Sequence, residues 1–148
     1  MNDDATTSAI IEGETGAQRL IGYTLDVGQP DARARCYLTL SDAHLNRHHV
    51  LHGGIATTML DNAMGATASL TVDASGRIPF MTISLNTHFL APAAHGTQLI
   101  ATGRIVGGGK SLKFIEGELV DSTGRLIATA SGVFKRVPAT RLEANKPA

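Results

Sequence analysis

Apolar and polar positions divide the chain into an opening hairpin, one helical stretch and a run of strands. Ala34, Cys36, Leu38 and Leu40 alternate with Arg35, Tyr37 and Thr39, the period of a half-buried strand. Residues 21–27 read as the strand before it, and Gly28-Gln29-Pro30-Asp31 predicts the turn of a hairpin. From residue 54 to 70 the spacing changes: Ile55, Met59, Ala63, Ala66 and Leu70 recur at helical intervals. Ala56, Gly65 and Ala68 keep that helix slim, so other structure is expected to wrap it. Four more strands are predicted at residues 78–90, 98–106, 111–121 and 126–137, as a meander with hairpins at Gly107-Gly108-Gly109 and Ser122-Thr123-Gly124. The pattern is α+β, an antiparallel sheet curled around one long central helix. A short helix over residues 10–20 is weakened by Gly13 and Gly16. Residues 1–8 and those after Val137 show no periodicity. The expectation is one domain, 1–148, with its core at about 20–137 and loose tails.

Composition narrows the class. A chain of 148 residues with 43% hydrophobic and 18% charged content is not disordered, and it can close a core without disulfides or metal. Thirteen basic and thirteen acidic residues cancel, and the aromatics are only four Phe and two Tyr. Both facts argue against a nucleic-acid partner. A single cysteine, Cys36, excludes an intrachain disulfide and suits a reducing compartment. The start, Met1-Asn2-Asp3-Asp4, is acidic where a signal peptide is basic, and no apolar run is long enough to span a membrane. A soluble cytoplasmic protein without a membrane partner is expected.

Between His48 and Val72 the only charged residue, with His neutral, is Asp61. A carboxylate inside an apolar helix faces a desolvation penalty unless something pairs with it. A solvated Asp on a stripe with Asn62 and Thr57 is the plainer alternative, and these residues alone leave both open. His52-Gly53-Gly54 stands at the helix start, where unpaired N–H groups favour a developing negative charge; an ordinary turn is the competing reading. Gly53 and Asp61 lie eight residues apart, about 12 Å along a helix. One chain cannot bring both to the same carbonyl carbon. Two chains with antiparallel helices can, which makes a dimer with two equivalent sites the smallest active unit if both groups act.

Other signals carry less. His48 and His52 have the i,i+4 spacing of a metal pair, and His44 and His49 lie nearby. No Cys or carboxylate completes a set, so no metal is expected. Gly107-Gly108-Gly109-Lys110-Ser111 lacks the first glycine and the following helix of a phosphate loop. Cys36 reads as core, and His88 and His95 as surface or satisfied positions.

Asn46-Arg47-His48-His49-Val50-Leu51-His52-Gly53-Gly54, followed by Leu60-Asp61-Asn62-Ala63-Met64-Gly65, resembles the hotdog-fold acyl-CoA thioesterases, in particular the PaaI-like phenylacetate-degradation type. The similarity runs on through residues 82–92, Gly109-Lys110-Ser111, 121–125 and 128–134. It implies a metal-free and cofactor-free hydrolase that splits a medium-chain or aryl-acyl-CoA into acid and CoA. Asp61 would be general base or nucleophile. The Gly53 amide would polarise the thioester carbonyl, helped by Asn46; Thr82 would orient the water and His52 would shape the loop. Gly54, Met59, Phe80, Met81, Asn86 and Lys110 would contact substrate, Lys110 by way of a CoA phosphate on a neighbouring subunit. Ile55 and Phe89 add apolar lining. His49 departs from the pattern, because relatives usually carry Gly there. The resemblance further implies a homodimer joined along strand 78–90, paired into a homotetramer. A non-catalytic acyl-CoA-binding hotdog protein is the alternative; a hotdog hydratase is disfavoured, because those enzymes use an Asp/His pair in a different motif.

Overall fold

The computed structural model describes residues 9–147; the tail expected at residues 1–8 lies outside the described residues. In chain order the elements are β1 (Ile10–Ile11), α1 (Gly16–Ile21), β2 (Thr24–Asp26), β3 (Arg35–Thr39), α2 (Gly53–Leu70), β4 (Phe80–Phe89), β5 (Gln98–Gly108), β6 (Leu112–Asp121), β7 (Leu126–Arg136) and α3 (Ala139–Glu143). The strands form one antiparallel sheet in the order β1-β2-β3-β5-β6-β7-β4, with α2 packed on one face. This is the hotdog arrangement expected above.

Three expectations need correction. The last four strands do not form a single meander: β5, β6 and β7 do, but β4 pairs with β7 at the far edge of the sheet. Residues 10–20 do not form one helix. Gly13 takes φ 67°, and Thr15 caps a new helix by accepting from the Gln18 N–H, so only residues 16–21 are helical before Gly22 ends it at φ 91°. After Val137, where no order was expected, α3 adds a short helical turn.

Helix α2 lies close to the sheet because the strands beneath it carry glycines. A Cβ added at Gly103 would stand 2.5 Å from Thr67 Oγ1 and 2.9 Å from the Ala63 carbonyl oxygen; one at Gly117 would stand 2.8 Å from Met64 Sδ. The Thr67 hydroxyl donates to Ala63 O (2.7 Å) and accepts from the Ala34 N–H (3.0 Å), which ties the helix to the start of β3. Ala56, Met59, Leu60, Ala63, Met64 and Ala68 fill the space between helix and sheet together with Cys36, Leu99, Ile115, Leu119 and Phe134. Burial pushes the Cys36 thiol up to about 12, so it is inert core. Sheet and core cover only part of the helix. Thr57, Thr58, Asp61, Asn62 and Gly65 form a stripe that stays partly open.

Strand β4 is irregular where it passes that stripe. A bulge between Thr82 and Ser84 inserts one residue, Ile83, into the ladder with β7. The extra residue changes the alternation: Phe80 and Thr82 face α2 before it, and Leu85 faces the core after it. Among the described residues the edge of β4 not paired with β7 has no partner strand, and Met81 and Ile83 of this edge strand are 50% and 58% exposed.

Gly103→Ala should destabilise the fold by about 1–3 kcal/mol, because the helix backbone itself must yield. Urea unfolding checks this; a cost below a few tenths would mean that α2 can slide away freely.

Candidate active site

The loop before α2 is built around Asn46. Its side-chain oxygen accepts from the His48 N–H (2.8 Å) and the Val50 N–H (3.4 Å), and its backbone N–H donates to Val50 O (2.8 Å). Two donors on one side-chain atom fix that atom as oxygen, which leaves the Asn46 amide NH2 for another acceptor. His49 sits at the tip with φ 62°. That left-handed conformation, which glycine adopts without strain, accounts for glycine being usual here in the resembling proteins. The loop is strapped down by Leu51 N–H to Ala93 O (2.8 Å) and His52 N–H to His44 O (2.9 Å). The His44 ring is itself fixed: Nδ1 accepts from the Ser41 N–H (3.0 Å), so Nε2–H donates to Ile21 O (2.7 Å).

The first turn of α2 then leaves one amide over. His52 is the N-cap, its Nδ1 accepting from the Gly54 N–H (2.8 Å), and its carbonyl oxygen accepts from the Ile55 and Ala56 N–H groups. Gly53 N–H alone lacks an acceptor among the described residues. It carries the partial positive charge of an 18-residue helix, and it lines a cavity of about 390 Å³ with Asn46, Leu51, Ala56, Phe89, Leu90 and Pro92. The Phe89 ring lies so near that a Cβ at Gly53 would come within 3.2 Å of it.

Asp61 is elsewhere. Two turns along α2 it accepts a hydrogen bond of 2.6 Å from Thr82 Oγ1 and borders a second cavity, about 250 Å³, with Leu25, Asn62, Gly65, Ala66, Arg77, Ile78, Pro79, Phe80 and Phe134. Within one chain the structure brings Asn46 to Gly53 and Thr82 to Asp61, but it does not bring these two pairs together.

The remaining candidates divide. Phe80 lines the Asp61 cavity. Gly54 stands at the exposed helix start with its amide taken by His52. Met81 is half-exposed on β4, opposite Lys135. Met59 is 0% exposed, between α2 and the sheet, and lines neither of these cavities. Asn86 lies in a different depression, with Ser131 and Glu116. Lys110 is exposed at the tip of the β5–β6 hairpin, outside both cavities. Among the described residues no three His, Cys, Asp or Glu side chains gather as metal ligands. Phe134 was missed as a lining residue; its register opposite Thr82 places it there, and that pairing follows only from the position of β4. Asn62 is not a solvated bystander. Its Nδ2 donates to Thr58 O, and its Oδ1 accepts from the hydroxyl of buried Tyr23 (3.1 Å).

Residues 48–128, just over half of the chain and spanning the loop, α2 and most of the sheet, match the model of the thioesterase superfamily. The chain belongs to that superfamily. This thioesterase is 29% identical over 112 residues to human acyl-coenzyme A thioesterase 13, covering 75% of this chain and 78% of that one. Its fold resembles that of the E. coli PaaI protein from the phenylacetic acid degradation operon, with a TM-score of 0.71 at 20% identity over 84% of this chain and 86% of that one. It also resembles zebrafish thioesterase superfamily member 2, with a TM-score of 0.63 at 22% identity over 72% and 75% of the two chains. The chain is thus a thioester hydrolase with a hotdog fold.

The left-handed tip of the loop can be tested by stability. His49→Gly should raise unfolding free energy by up to about 1 kcal/mol, whereas His49→Val should lower it, since a β-branched residue is strained there. Equal melting midpoints for the two variants would show that the tip adapts to its residue.

Proposed function

We propose that this thioesterase hydrolyses medium-chain or aryl-acyl-CoA, in sites that each take Gly53 and Asn46 from one chain and Asp61 and Thr82 from another. The observation that carries the proposal is the separation of the two pairs along one helix. Eight residues put the Gly53 amide about 12 Å from the Asp61 position, too far to serve one carbonyl. An antiparallel partner helix laid on the open stripe of α2 would bring each half to the other. The unpaired edge of β4, with Met81 and Ile83 exposed, is suited to pair with its counterpart in the same dimer.

In such a site the substrate carbonyl oxygen accepts from Gly53 N–H and the Asn46 NH2. The amide is fixed before substrate arrives, so it stabilises the tetrahedral oxyanion without reorganising. Thr82 gives its one hydrogen to Asp61, and the lone pairs of its hydroxyl are left to accept from a water. Asp61 takes a proton from that water as oxygen attacks the carbonyl carbon. The tetrahedral species then collapses, the carbon–sulfur bond breaks, and the proton passes to the departing CoA sulfur. Direct attack by Asp61, through an anhydride that water later cleaves, uses the same contacts. Neither route needs a metal or a cofactor. The cavity beside Asp61 would take the acyl group, Lys110 of a neighbouring subunit would meet a CoA phosphate, and paired dimers would form the tetramer. The single inert thiol fits a cytoplasmic setting. The similarity to human acyl-coenzyme A thioesterase 13 supports the CoA thioester as substrate.

Thiol release from a panel of acyl-CoAs tests the activity. Acyl-CoA binding with no turnover on any of them would favour a non-catalytic binding protein instead. Asp61→Asn should cut turnover by a factor on the order of 10² or more and largely spare binding. Co-expression tests the two-chain site. Asp61→Asn and Asn46→Ala subunits, each deficient alone, should recover about a quarter of wild-type activity when mixed at random, because each heterodimer holds one intact site. No recovery in a verified heterodimer would place all four groups in one chain.

A further inference from the structure

The end of the cavity away from Asp61 is lined by Arg77, which plays no part in the chemistry above and is ion-paired with Glu14. Ser69, two turns beyond Asp61 on α2, accepts from the Ile78 N–H at 2.7 Å, so the backbone next to Arg77 stands about 12 Å along the helix from the carboxylate. Arg77 lines the cavity at that end, beside Ile78 and Pro79, while Leu25 of β2 lines it from the side of the N-terminal segment. Glu14, in that segment, accepts from both Arg77 Nε–H (3.1 Å) and Arg77 Nη2–H. The pair therefore links the segment carrying α1 to the loop before β4, at the Arg77 end of the cavity.

Both partners are held in place. The Glu14 N–H donates to the side-chain oxygen of buried Gln18 (3.1 Å), whose amide NH2 is itself fixed by donating to Ile11 O and Tyr23 O. On the other side the Arg77 N–H donates to Ser75 Oγ, and Ser75 is bound in turn to Asp73. At 54% and 43% exposure, such a pair contributes little to stability, so its fixed placement calls for another role.

We propose that the Glu14–Arg77 pair is the end wall of the acyl pocket and sets an upper limit on acyl length. This rests on the reading of that cavity as the acyl site. About 150 Å³ suffices for one benzene ring, so a cavity of about 250 Å³ holds a ring with a short linker or an alkyl chain of similar bulk. A long fatty chain needs the wall to open.

The test is a ladder from butyryl-CoA to palmitoyl-CoA, run for turnover and, with S-alkyl-CoA thioethers of matching length, for binding by calorimetry. Wild type should favour the short members in both measurements. In Arg77→Ala the kcat/KM ratio of lauroyl over hexanoyl should rise about tenfold or more. Glu14→Ala should move it the same way, and the double variant should go no further than Arg77→Ala, because the two residues act as one unit. Arg77→Met, which keeps bulk without the ion pair, should fall between. Turnover with an unchanged length profile in all variants would overturn the wall and leave the hydrolase reading intact. A thioether cut-off that Arg77→Ala relaxes, in a protein that hydrolyses no thioester, would retain the wall and remove the hydrolase reading. Thioether binding that is indifferent to length in wild type would reject the wall outright.

Discussion

A helix cannot place two points eight residues apart at one atom, and the proposed two-chain site depends on this constraint. In α2 the one unpaired first-turn amide is at Gly53 and the one carboxylate is at Asp61. Everything near the helix suits completion from outside. The stripe carrying Thr57, Thr58, Asp61, Asn62 and Gly65 stays partly open, while the opposite face is sealed against sheet glycines. Hydrogen bonds occupy the polar groups of that stripe: Thr57 and Thr58 donate back to helix carbonyls, and Asn62 holds Tyr23. Burial also raises the Tyr23 phenol above its usual range, which keeps it a neutral donor to Asn62.

The same economy governs strand β4, which must present Thr82 to Asp61 and, seven residues later, Phe89 to Gly53. An odd interval puts two residues of a regular strand on opposite faces. The inserted Ile83 supplies the extra step that returns both to the helix side. A local irregularity in the ladder thus lets one strand reach both Asp61 and Gly53.

Much of this was legible in the order of residues. The alternation of Ala34 to Leu40, the helical spacing of Ile55 to Leu70 and the isolation of Asp61 are local patterns, and local periodicity reports local conformation directly. The spacing of Gly53 and Asp61 also carried the separation of those two residues along the helix. What was not legible is non-local. Nothing within residues 78–90 says that their partner is the last strand rather than the next, so the Thr82–Phe134 pairing could not be read. Met59 falls at a helical interval compatible with either core or pocket, and only the direction of the sheet assigns it to core. Arg77 and Glu14 are ordinary surface charges in sequence; the fold makes them neighbours across 63 residues.

The placement of β4 also orders events in time. Its ladder partners are residues 128–136, so when the chain leaves the ribosome β4 emerges about forty residues before the strand that will hold it. Through that interval a segment rich in Met81, Ile83, Leu85 and Phe89 has neither its sheet neighbour nor a folded core behind it. Such long-range closure slows folding and concentrates aggregation risk in one segment. A nascent chain halted between Phe89 and Val133 carries the helix and β4 but lacks part of the strand that docks β4, which makes completion of the C-terminal strand the step on which that docking waits.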